Sequence, residues 1–329
     1  MSDVRVTRRA FLGGTIGAFA AIRSARAQPS ASRTRTIETT DLTIGFEDSG
    51  NADGFPIVLL HGFPDDVHAY DEVVPLLAQN GYRTIVPYLR GFGPTRLGTN
   101  TLRSGEQAAL AQDVIALVDR LKLPRFSVGG YDWGNRTACI AAALYPERVR
   151  SVVLVGGYSI YDAFAPQQAG PPERDRAIWH FFYFNTERGR AALEANRRNL
   201  CRFFWQTWSP TWKFSNETYD RTAVSFDNPD FVDVSCHFYR HRLGNAPGDP
   251  RFDAVEHQLA KRPRVQVPTI LLYATDDGTA GPPSTDDTAD HTNFATLLDR
   301  RIVPGGHFLP RENPQAFAAA MLDTLNRSR

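Results

Sequence analysis

A carboxylate set between two glycines is the first feature of this sequence that suggests chemistry. Asp132 lies in the stretch GGYDWGNR, and Gly130 and Gly134 stand two residues to either side of it. Small residues at these positions permit a strained strand-to-helix turn, which holds its central side chain above a sheet and near a helix N-terminus. Held there, the carboxylate is a candidate nucleophile. The alternative is an aspartate that only caps the helix.

Two further segments carry groups that would act with Asp132. HGFP follows an apolar run, and its loop can direct the backbone N–H of Phe63 to the same point as the N–H of Trp133, making an oxyanion hole. PGGHFLP follows the last apolar run and carries His307, where the turn at Asp132 needs a general base. Together the three segments favour a catalytic Asp132 over a helix cap.

The elements that must position these groups alternate along the chain. Helical patterns separate the apolar runs, as in SGEQAALAQDVIALVDRLKL, where Ser104 and Gln107 predict a capping box. This alternation predicts an α/β fold with a doubly wound, mostly parallel sheet. The runs predicted as short buried strands are 56–63, 83–89, 125–131, 150–156, 268–274 and 300–306.

A second kind of sequence interrupts this alternation. From about residue 158 to residue 255 strand patterns are missing and aromatic residues are frequent, as in IWHFFYFN, CRFFWQTW and CHFYRHR. We interpret 158–255 as a helical cap inserted between two strands of the sheet. The core domain would then comprise 28–157 and 256–329.

Four motifs in a fixed order are similar to those of one enzyme family. HGFP, LRGFG, DWG with the following YPERVR, and GGHF occur in this order in the chain. From about residue 38 to residue 326 the chain therefore resembles the α/β-hydrolase fold family. Within that family it resembles the branch of epoxide hydrolases and haloalkane or haloacid dehalogenases, whose nucleophile is an aspartate.

An aspartate nucleophile restricts the class of reaction. Attack on an ester carbonyl would form an anhydride, a high-energy product, whereas attack on an sp³ carbon expels a leaving group and leaves an alkyl ester on Asp132. His307 would then deprotonate a water that hydrolyses the ester. No G-x-S-x-G occurs in the chain, so an ordinary serine esterase or lipase is disfavoured.

The resemblance also implies an acid that orients His307. This branch takes its acid from one of two places, and at the first of them, about Gly156, none is available. The second lies in LLYATDDG, where we predict Asp277 because it matches the family's pattern, with Asp276 as the alternative. A buried carboxylate there would hold the tautomer of His307 and stabilise its imidazolium.

The leaving group separates the members of this branch. An epoxide oxygen departs as an alkoxide and needs donors from the cap, and Tyr239 in HFYRHR resembles the ring-opening tyrosine of epoxide hydrolases. WHFFYFN resembles the segment of the second donor, but His180 stands at that position and Tyr183 follows three residues later. A His–Tyr pair occurs in a subset of bacterial epoxide hydrolases, and a neutral His can donate through one ring nitrogen. His180 could instead be a packed core residue.

A dehalogenase is the alternative enzyme. Arg136, four residues after the nucleophile, matches one of two arginines that hold the substrate carboxylate in fluoroacetate dehalogenases. Trp133 stands in place of the other arginine and Phe181 in place of the halide-binding Trp, so the match is partial. Arg136 could also simply pair with a carboxylate.

Epoxide hydrolysis is thus our prediction for the function, and a dehalogenase that acts on haloalkanes or haloacids is the alternative. A non-catalytic binding protein on a hydrolase scaffold is disfavoured because Asp132, Asp277, His307 and HGFP are all retained. We expect a small-molecule substrate, an epoxide or an organohalide, with Arg136, Phe181 and Tyr183 among the binding residues. No cofactor or metal is predicted, and a homodimer is one option for the oligomeric state.

The N-terminal segment predicts where the protein is located, and the net charge indicates which classes of partner are disfavoured. Residues 1–27 contain Arg8-Arg9, a weakly apolar stretch and the cleavage pattern ARA, which predict a twin-arginine signal and a periplasmic or secreted protein. Without these residues the chain has 32 basic and 35 acidic residues, a net charge of −3, which suggests neither a nucleic-acid nor a membrane partner. Three cysteines are too few for a disulfide framework. We predict buried thiols, with a Cys201–Cys236 bridge as the alternative.

Overall fold

The computed structural model of the protein describes Met1 and residues 34–328. The predicted signal segment 1–27 lies outside the described residues, apart from Met1. No helix within the described part is long and apolar enough to cross a membrane.

A nine-stranded sheet forms the centre of the fold. Its order is β1-β2-β4-β3-β6-β7-β8-β9, and β5 pairs with β2. The strands are β1 (Thr34–Glu38), β2 (Leu42–Gly50), β3 (Pro56–Leu60), β4 (Arg83–Pro87), β5 (Arg96–Leu97), β6 (Phe126–Tyr131), β7 (Val149–Val155), β8 (Thr269–Ala274) and β9 (Leu297–Val303). From β4 to β9 every neighbouring pair is parallel. The predicted fold class is confirmed.

Two differences from the predicted strands stand out. The sequence analysis missed the antiparallel edge, where β2 pairs with β1, β4 and β5. β1 is largely exposed and lacks the continuous apolar run on which the prediction relied. The last strand, predicted at 300–306, lies at Leu297–Val303 instead, so the residues before His307 belong to a loop.

The helices cover both faces of the sheet and fill the segment between β7 and β8. Single 3₁₀ turns occur at Val67–Tyr70, Val224–Asp227 and Pro250–Phe252. The α-helices are α1 (Val73–Ala78), α2 (Gln107–Arg120), α3 (Trp133–Leu144), α4 (Pro172–Ala177), α5 (Trp179–Tyr183), α6 (Glu187–Trp208), α7 (Asn216–Ala223), α8 (Phe231–Arg242), α9 (Asp253–Leu259), α10 (Thr288–Asn293), α11 (Leu309–Glu312) and α12 (Pro314–Arg327).

The capping box predicted at Ser104 does not form. α2 begins at Gln107, and the oxygens of Ser104 accept hydrogen bonds from Nη1 of Arg90 instead, at 2.9 Å and 3.2 Å. The N–H of Ala108 has no acceptor within the helix and donates to Oε1 of Glu256 at 2.9 Å. A carboxylate distant in sequence therefore satisfies the first turn of α2. Tertiary contacts have thus replaced a local cap.

Helices α4 to α9 make up the segment in which a cap was predicted, and they pack through aromatic rings. Phe204 stacks on Trp208 with ring centroids 4.6 Å apart, and Trp205 stacks on Trp212 at 5.1 Å. The segment is helical, as predicted, while the domain boundaries at 158 and 255 remain a prediction. The three cysteines, at positions 139, 201 and 236, are free and buried, so the alternative disulfide does not form.

Candidate active site

A strained turn between β6 and α3 presents Asp132. Its backbone has φ 53° and ψ −120°, a conformation that costs a non-glycine residue about 1–3 kcal/mol. The flanking glycines are needed because the chain is crowded here: a Cβ on Gly130 would lie 2.3 Å from the carbonyl oxygen of Gly134. A Cβ on Gly134 would lie 2.0 Å from the carbonyl oxygen of Leu60. Close backbone approach therefore explains the G-x-D-x-G pattern.

The loop after β3 contacts the carboxylate of Asp132 directly. The backbone N–H of Phe63 donates to Oδ1 of Asp132 at 2.7 Å. A Cβ on Gly62 would lie 2.5 Å from Cβ of Asp132, so the glycine of HGFP lets the two segments meet. The N–H groups of Phe63 and Trp133 converge on this carboxylate, which is the arrangement expected of an oxyanion hole.

The charge on Asp132 is maintained by its neighbours. Burial alone would raise the pKa of Asp132, but the close contact with His307 and the positive charge of its ring outweigh burial. Together with the N–H groups of Phe63 and Trp133, they hold the pKa below its usual range. The carboxylate is therefore ionised at neutral pH, as a nucleophile must be.

His307 lies between two carboxylates. Its Nδ1 is 3.0 Å from Oδ2 of Asp277, and its Nε2 is 3.5 Å from Oδ2 of Asp132. Burial alone would lower the pKa of His307, but the charge of Asp277 and the contacts with Asp132 raise it to about 10. With both carboxylates ionised, the imidazole is thus protonated at neutral pH.

The geometry distinguishes Asp277 from its neighbour. Oδ1 of Asp277 accepts hydrogen bonds from the N–H of Thr279 at 2.7 Å and from its hydroxyl at 2.8 Å. Burial alone would raise the pKa of Asp277, but His307 and these bonds lower it to about 2. Asp276 is exposed and accepts from the hydroxyl of Thr275 instead. The structure therefore places Asp277, not Asp276, against the imidazole.

Two polar side chains of the cap segment lie near enough to Asp132 for its charge to act on them. Tyr239 on α8 and His180 on α5 are 1% and 3% exposed, and their rings meet edge to face with centroids 5.2 Å apart. Burial, followed by the charge of Asp132, raises the pKa of Tyr239 well above its usual value, so the hydroxyl keeps its proton. Burial lowers the pKa of His180 to about 3, so its ring is neutral.

The predicted binding residues occupy different places. The ring of Phe181 lies 5.0 Å from that of Tyr239, at the edge of the site. Tyr183 packs against Trp179 and Phe184, at 5.2 Å and 6.1 Å, and no ring contact within the described part joins it to His180, Tyr239 or His307. The structure therefore does not bring Tyr183 to the reactive groups.

Arg136 lacks the carboxylate partner that the simpler interpretation gave it. Its Nε donates to the carbonyl of Ser159 at 2.9 Å, and its guanidinium lies over the rings of Tyr161 and Phe238. Among the described residues it forms no ion pair within 4.0 Å.

Three residues beside the site were not assigned a role from the sequence. Thr279 binds the acid, and its D-x-T spacing from Asp277 is a recognisable local turn signal. Trp208 packs against the rings of both His180 and His307, at 4.6 Å and 5.1 Å, and had been noted only as one aromatic among many. Arg242 lies over the ring of Phe181, and no spacing rule pointed to it.

No metal site accompanies these groups within the described residues. No set of three His, Cys, Asp or Glu side chains there is arranged to hold a metal ion.

Known proteins are similar to the chain, some of them over most of its length. The family model for the alpha/beta hydrolase fold matches residues 56–314. A fluoroacetate dehalogenase of Burkholderia sp is 26% identical over 304 residues, which are 90% of this chain and 94% of the relative. Epoxide hydrolase A of Mycobacterium tuberculosis is 26% identical over 167 residues, 49% of this chain and 50% of the relative. The crystal structure of a "putative epoxide hydrolase" from Klebsiella pneumoniae is 41% identical with a TM-score of 0.85, and the match covers 89% of this chain and 97% of that one.

Proposed function

The chain belongs to the alpha/beta hydrolase fold family, and on that premise we propose that it is a hydrolase that opens epoxides to vicinal diols through an alkyl ester on Asp132. The observation that carries this proposal is a pair of buried groups that can donate, Tyr239 and His180, which pack against each other and on which the charge of Asp132 acts. A departing alkoxide needs such donors. The similarity to the Klebsiella pneumoniae protein, which is named as an epoxide hydrolase, supports the same function.

The first step is ring opening by Asp132. Oδ1 is held by the N–H of Phe63, so Oδ2 is the oxygen that attacks the epoxide carbon. The C–O bond of the epoxide breaks, and the hydroxyl of Tyr239 donates its proton to the oxygen that leaves. His180 donates a second hydrogen bond through a ring nitrogen. Because both donors are buried, the charge that develops on oxygen is met without competing water.

The second step depends on a change in His307. Esterification removes the negative charge of Asp132, which is one of the two charges that raise the pKa of the imidazole. The pKa of His307 must then fall, and the proton that the ring gives up replaces the one that Tyr239 donated, so that the phenol is restored and the neutral imidazole can act as a general base. Nε2 takes a proton from water, and the hydroxide attacks Cγ of Asp132 while the N–H groups of Phe63 and Trp133 stabilise the oxyanion. When this intermediate collapses, the bond between Cγ and the substrate oxygen breaks, and that oxygen takes the proton of the new Asp132 hydroxyl group, which releases the diol and restores the carboxylate.

Asp277 has the same role in both steps, which is to orient His307. Its carboxylate remains charged in both steps because its pKa is about 2, and its two oxygens lie 3.0 Å and 3.2 Å from Nδ1 of His307. It therefore fixes the tautomer that presents Nε2 to the water.

A dehalogenase is a second candidate, favoured by the fluoroacetate dehalogenase relative that matches 90% of this chain. The same Asp132 chemistry would expel a halide. The position of the halide-binding Trp is occupied by Phe181, whose ring has no N–H to offer. We therefore rank epoxide opening first.

Product analysis tests the proposal. We would incubate residues 28–329 with styrene oxide, fluoroacetate and 1-bromobutane, and measure diol and halide release. Diol from styrene oxide that is lost in Asp132→Asn but retained in Asp276→Asn is the expected result. Halide release without diol would transfer the assignment to the dehalogenase, and diol formation that survives Asp132→Asn would exclude the ester mechanism.

We also propose export by the twin-arginine route, on the basis of Arg8-Arg9 and the ARA cleavage pattern. Mass spectrometry of the periplasmic protein should find an N-terminus near Gln28, and replacing both arginines with lysine should abolish export. A full-length cytoplasmic protein would contradict this proposal.

A further inference from the structure

Two arginines beside the proposed site have no acidic partner. Arg136 on α3 is 8% exposed, and its Nε donates to the carbonyl of Ser159. Arg242, the last residue of α8, is partly buried, and its Nη1 is fully buried without a hydrogen-bond partner. Neither guanidinium forms an ion pair with a carboxylate among residues 34–328. Buried charges are ordinarily paired, so this arrangement needs an explanation.

The two guanidinium groups share one aromatic ring. The Cζ of Arg136 lies 5.1 Å from the ring centroid of Tyr161, and the Cζ of Arg242 lies 4.7 Å from it. Burial, followed by the charge of Arg136, lowers the pKa of Arg242 to about 9. The aromatic ring attracts both cations but leaves their N–H groups without acceptors. Positive charge is therefore concentrated here and not neutralised.

Unpaired polar atoms cluster at the same place. The hydroxyl of Tyr161 is buried, has no hydrogen-bond partner within the described part of the chain, and is acted on by the charges of both arginines. With Nη1 of Arg242 it makes two buried groups that can donate. A bound anion with several acceptor oxygens would satisfy them together.

Glu256, an acidic group on which the charge of Arg136 acts, does not fill this role. The oxygens of Glu256 accept hydrogen bonds from the side chain of Gln107 and the N–H of Ala108 instead. Burial raises the pKa of Glu256 to about 7, so this group is only partly charged near neutral pH. The two arginines thus keep an excess positive charge.

The arginines adjoin the reactive groups. The ring of Phe181 lies 5.0 Å from that of Tyr239 and 4.8 Å from that of His180, and the guanidinium of Arg242 lies over the same ring at 5.1 Å. The charges of both arginines also act on the hydroxyl of Tyr239, on which the charge of Asp132 acts too. An anion bound by the arginines would therefore lie one aromatic side chain away from the ring-opening donor.

From this arrangement we propose that Arg136 and Arg242 bind a carboxylate of the substrate, so that the enzyme acts on epoxides that carry an acid group beyond the epoxide carbons. The inference rests on the proposed function for the reaction itself. The carboxylate would receive hydrogen bonds from Arg242, from the free N–H groups of Arg136 and from the hydroxyl of Tyr161. Its binding would hold the epoxide against Asp132 and Tyr239.

A matched substrate series tests the proposal. The terminal epoxides of hexanoic, octanoic and decanoic acid would be compared with the primary amides of the same epoxides, which keep the shape but lack the charge. Charge-assisted hydrogen bonds contribute enough for a preference of about ten- to a hundred-fold in kcat/KM for the best acid over its amide. Equal kcat/KM for acid and amide at every chain length would overturn the inference.

Variants on helix α8 test whether Arg242 is responsible for the preference for acids over amides. Arg242→Gln should reduce the acid-to-amide ratio at least ten-fold, and Arg242→Lys should keep part of it. Arg240→Gln is the control because Arg240 lies two residues earlier on α8 and pairs with Glu187, and it should keep the wild-type ratio. A ratio that survives Arg242→Gln would exclude this residue as the carboxylate ligand.

A binding measurement separates this inference from the proposed function. Calorimetry with octanoate and octanamide needs no reaction, and Asp132→Asn protein should bind octanoate about ten-fold or more tightly than octanamide. If no epoxide is hydrolysed but octanoate still binds preferentially, the reaction class is wrong and the anion site stands. If epoxides are hydrolysed and neither the kinetics nor the binding prefers the acid, the anion site is wrong and the reaction class stands.

Discussion

His307 lies closer to Asp277 than to Asp132: its Nδ1 is 3.0 Å from Oδ2 of Asp277, and its Nε2 is 3.5 Å from Oδ2 of Asp132. The charged contact with Asp277 persists through the reaction, whereas the one with Asp132 does not, because only the carboxylate of Asp132 loses its charge when an ester forms. One acid therefore orients the ring throughout, and the other controls when the ring can accept a proton. Removing each group in turn should give a different defect.

Loss of the base should trap the ester. In His307→Gln the carboxylate of Asp132 can still attack, but no group remains to deprotonate water, so the alkyl ester should accumulate. Mass spectrometry of a digest should find a substrate-sized increase on the peptide that contains Asp132. An adduct on a serine, or no adduct in a folded variant that still binds substrate, would contradict the mechanism.

Loss of the orienting acid should slow the second step. Asp277→Asn leaves His307 without its negative neighbour and favours the wrong tautomer, so hydrolysis of the ester should fall by about 10³–10⁴-fold. Asp276→Asn is the matched control, because Asp276 is exposed and bonds to Thr275. Stopped-flow traces should show the ester persisting in the first variant and turning over normally in the second. Equal rates in the two variants would reject Asp277 as the acid.

Loss of a ring-opening donor should slow the first step. Tyr239→Phe keeps the shape and removes the hydroxyl, so the rate of alkylation by an epoxide should fall by about 10²–10³-fold, with His180→Phe acting in the same direction. A halide is a weaker base, so alkylation by a haloalkane should change less. Tyr219→Phe is the control, because Tyr219 is equally buried in the cap segment but bonds to the carbonyl of Arg198. If Tyr239→Phe and His180→Phe both open epoxides at the wild-type rate, the dehalogenase becomes the better assignment.

The charge of His307 predicts a dependence of stability on pH. The imidazole has a pKa of about 10 in the folded protein and about 6.5 when unfolded, so between these values the folded state holds a proton that the unfolded state has released. The contribution of His307 to the free energy of unfolding is therefore complete below pH 6.5 and is lost as the pH rises towards 10. Asp132→Asn removes one of the charges that raise the pKa of His307. Between pH 6.5 and 10 this variant should therefore lose less free energy of unfolding than the wild type and Asp276→Asn lose. Urea unfolding at both ends of the range measures the difference, and identical losses in all three proteins would refute it.

Replacing Gly134 with alanine should destabilise the protein because the strained turn is crowded, although the same replacement normally stabilises a helix. Alanine is preferred over glycine within helices by about 1 kcal/mol, yet a Cβ on Gly134 would lie 2.0 Å from the carbonyl oxygen of Leu60. Gly134→Ala should therefore lower the free energy of unfolding by about 1–3 kcal/mol or more. Gly170→Ala is the control, because its Cβ would meet only the end of the Asp175 side chain, at 3.1 Å. Equal stability of the two variants in denaturant would contradict the steric account.

Motifs and packing differ in what the sequence can show. Asp132, His307 and Asp277 were located because each follows a strand of the parallel sheet at a spacing that the family's motifs share, and the structure brings them together. Tyr183 was expected at the site by its closeness to His180 in sequence, but its ring packs on Trp179. A short helical segment points neighbouring side chains in different directions, and the sequence alone does not say which of them faces the carboxylate.

Interactions between distant segments were beyond prediction for a physical reason. The local pattern at Ser104 indicated a capping box, but Arg90 binds Ser104 and Glu256 supplies the helix N-terminus. Arg242 likewise carries no sequence signal, because what distinguishes it is the lack of a nearby carboxylate in three dimensions. Local propensity is a weak prior wherever tertiary contacts compete with it.

The hydrogen bond from Ala108 to Glu256 has a consequence for how the protein is made. α2 lies in the first half of the core, but the carboxylate that satisfies its first turn, and strands β8 and β9, lie on the far side of the helical segment. During synthesis the strands up to β7 are therefore complete before β8 and β9 exist. The backbone groups along the edge of β7 stay unpaired until residues 256–303 have left the ribosome. Nascent chains halted before residue 256 should accordingly depend on chaperones, whereas chains released after α12 should not.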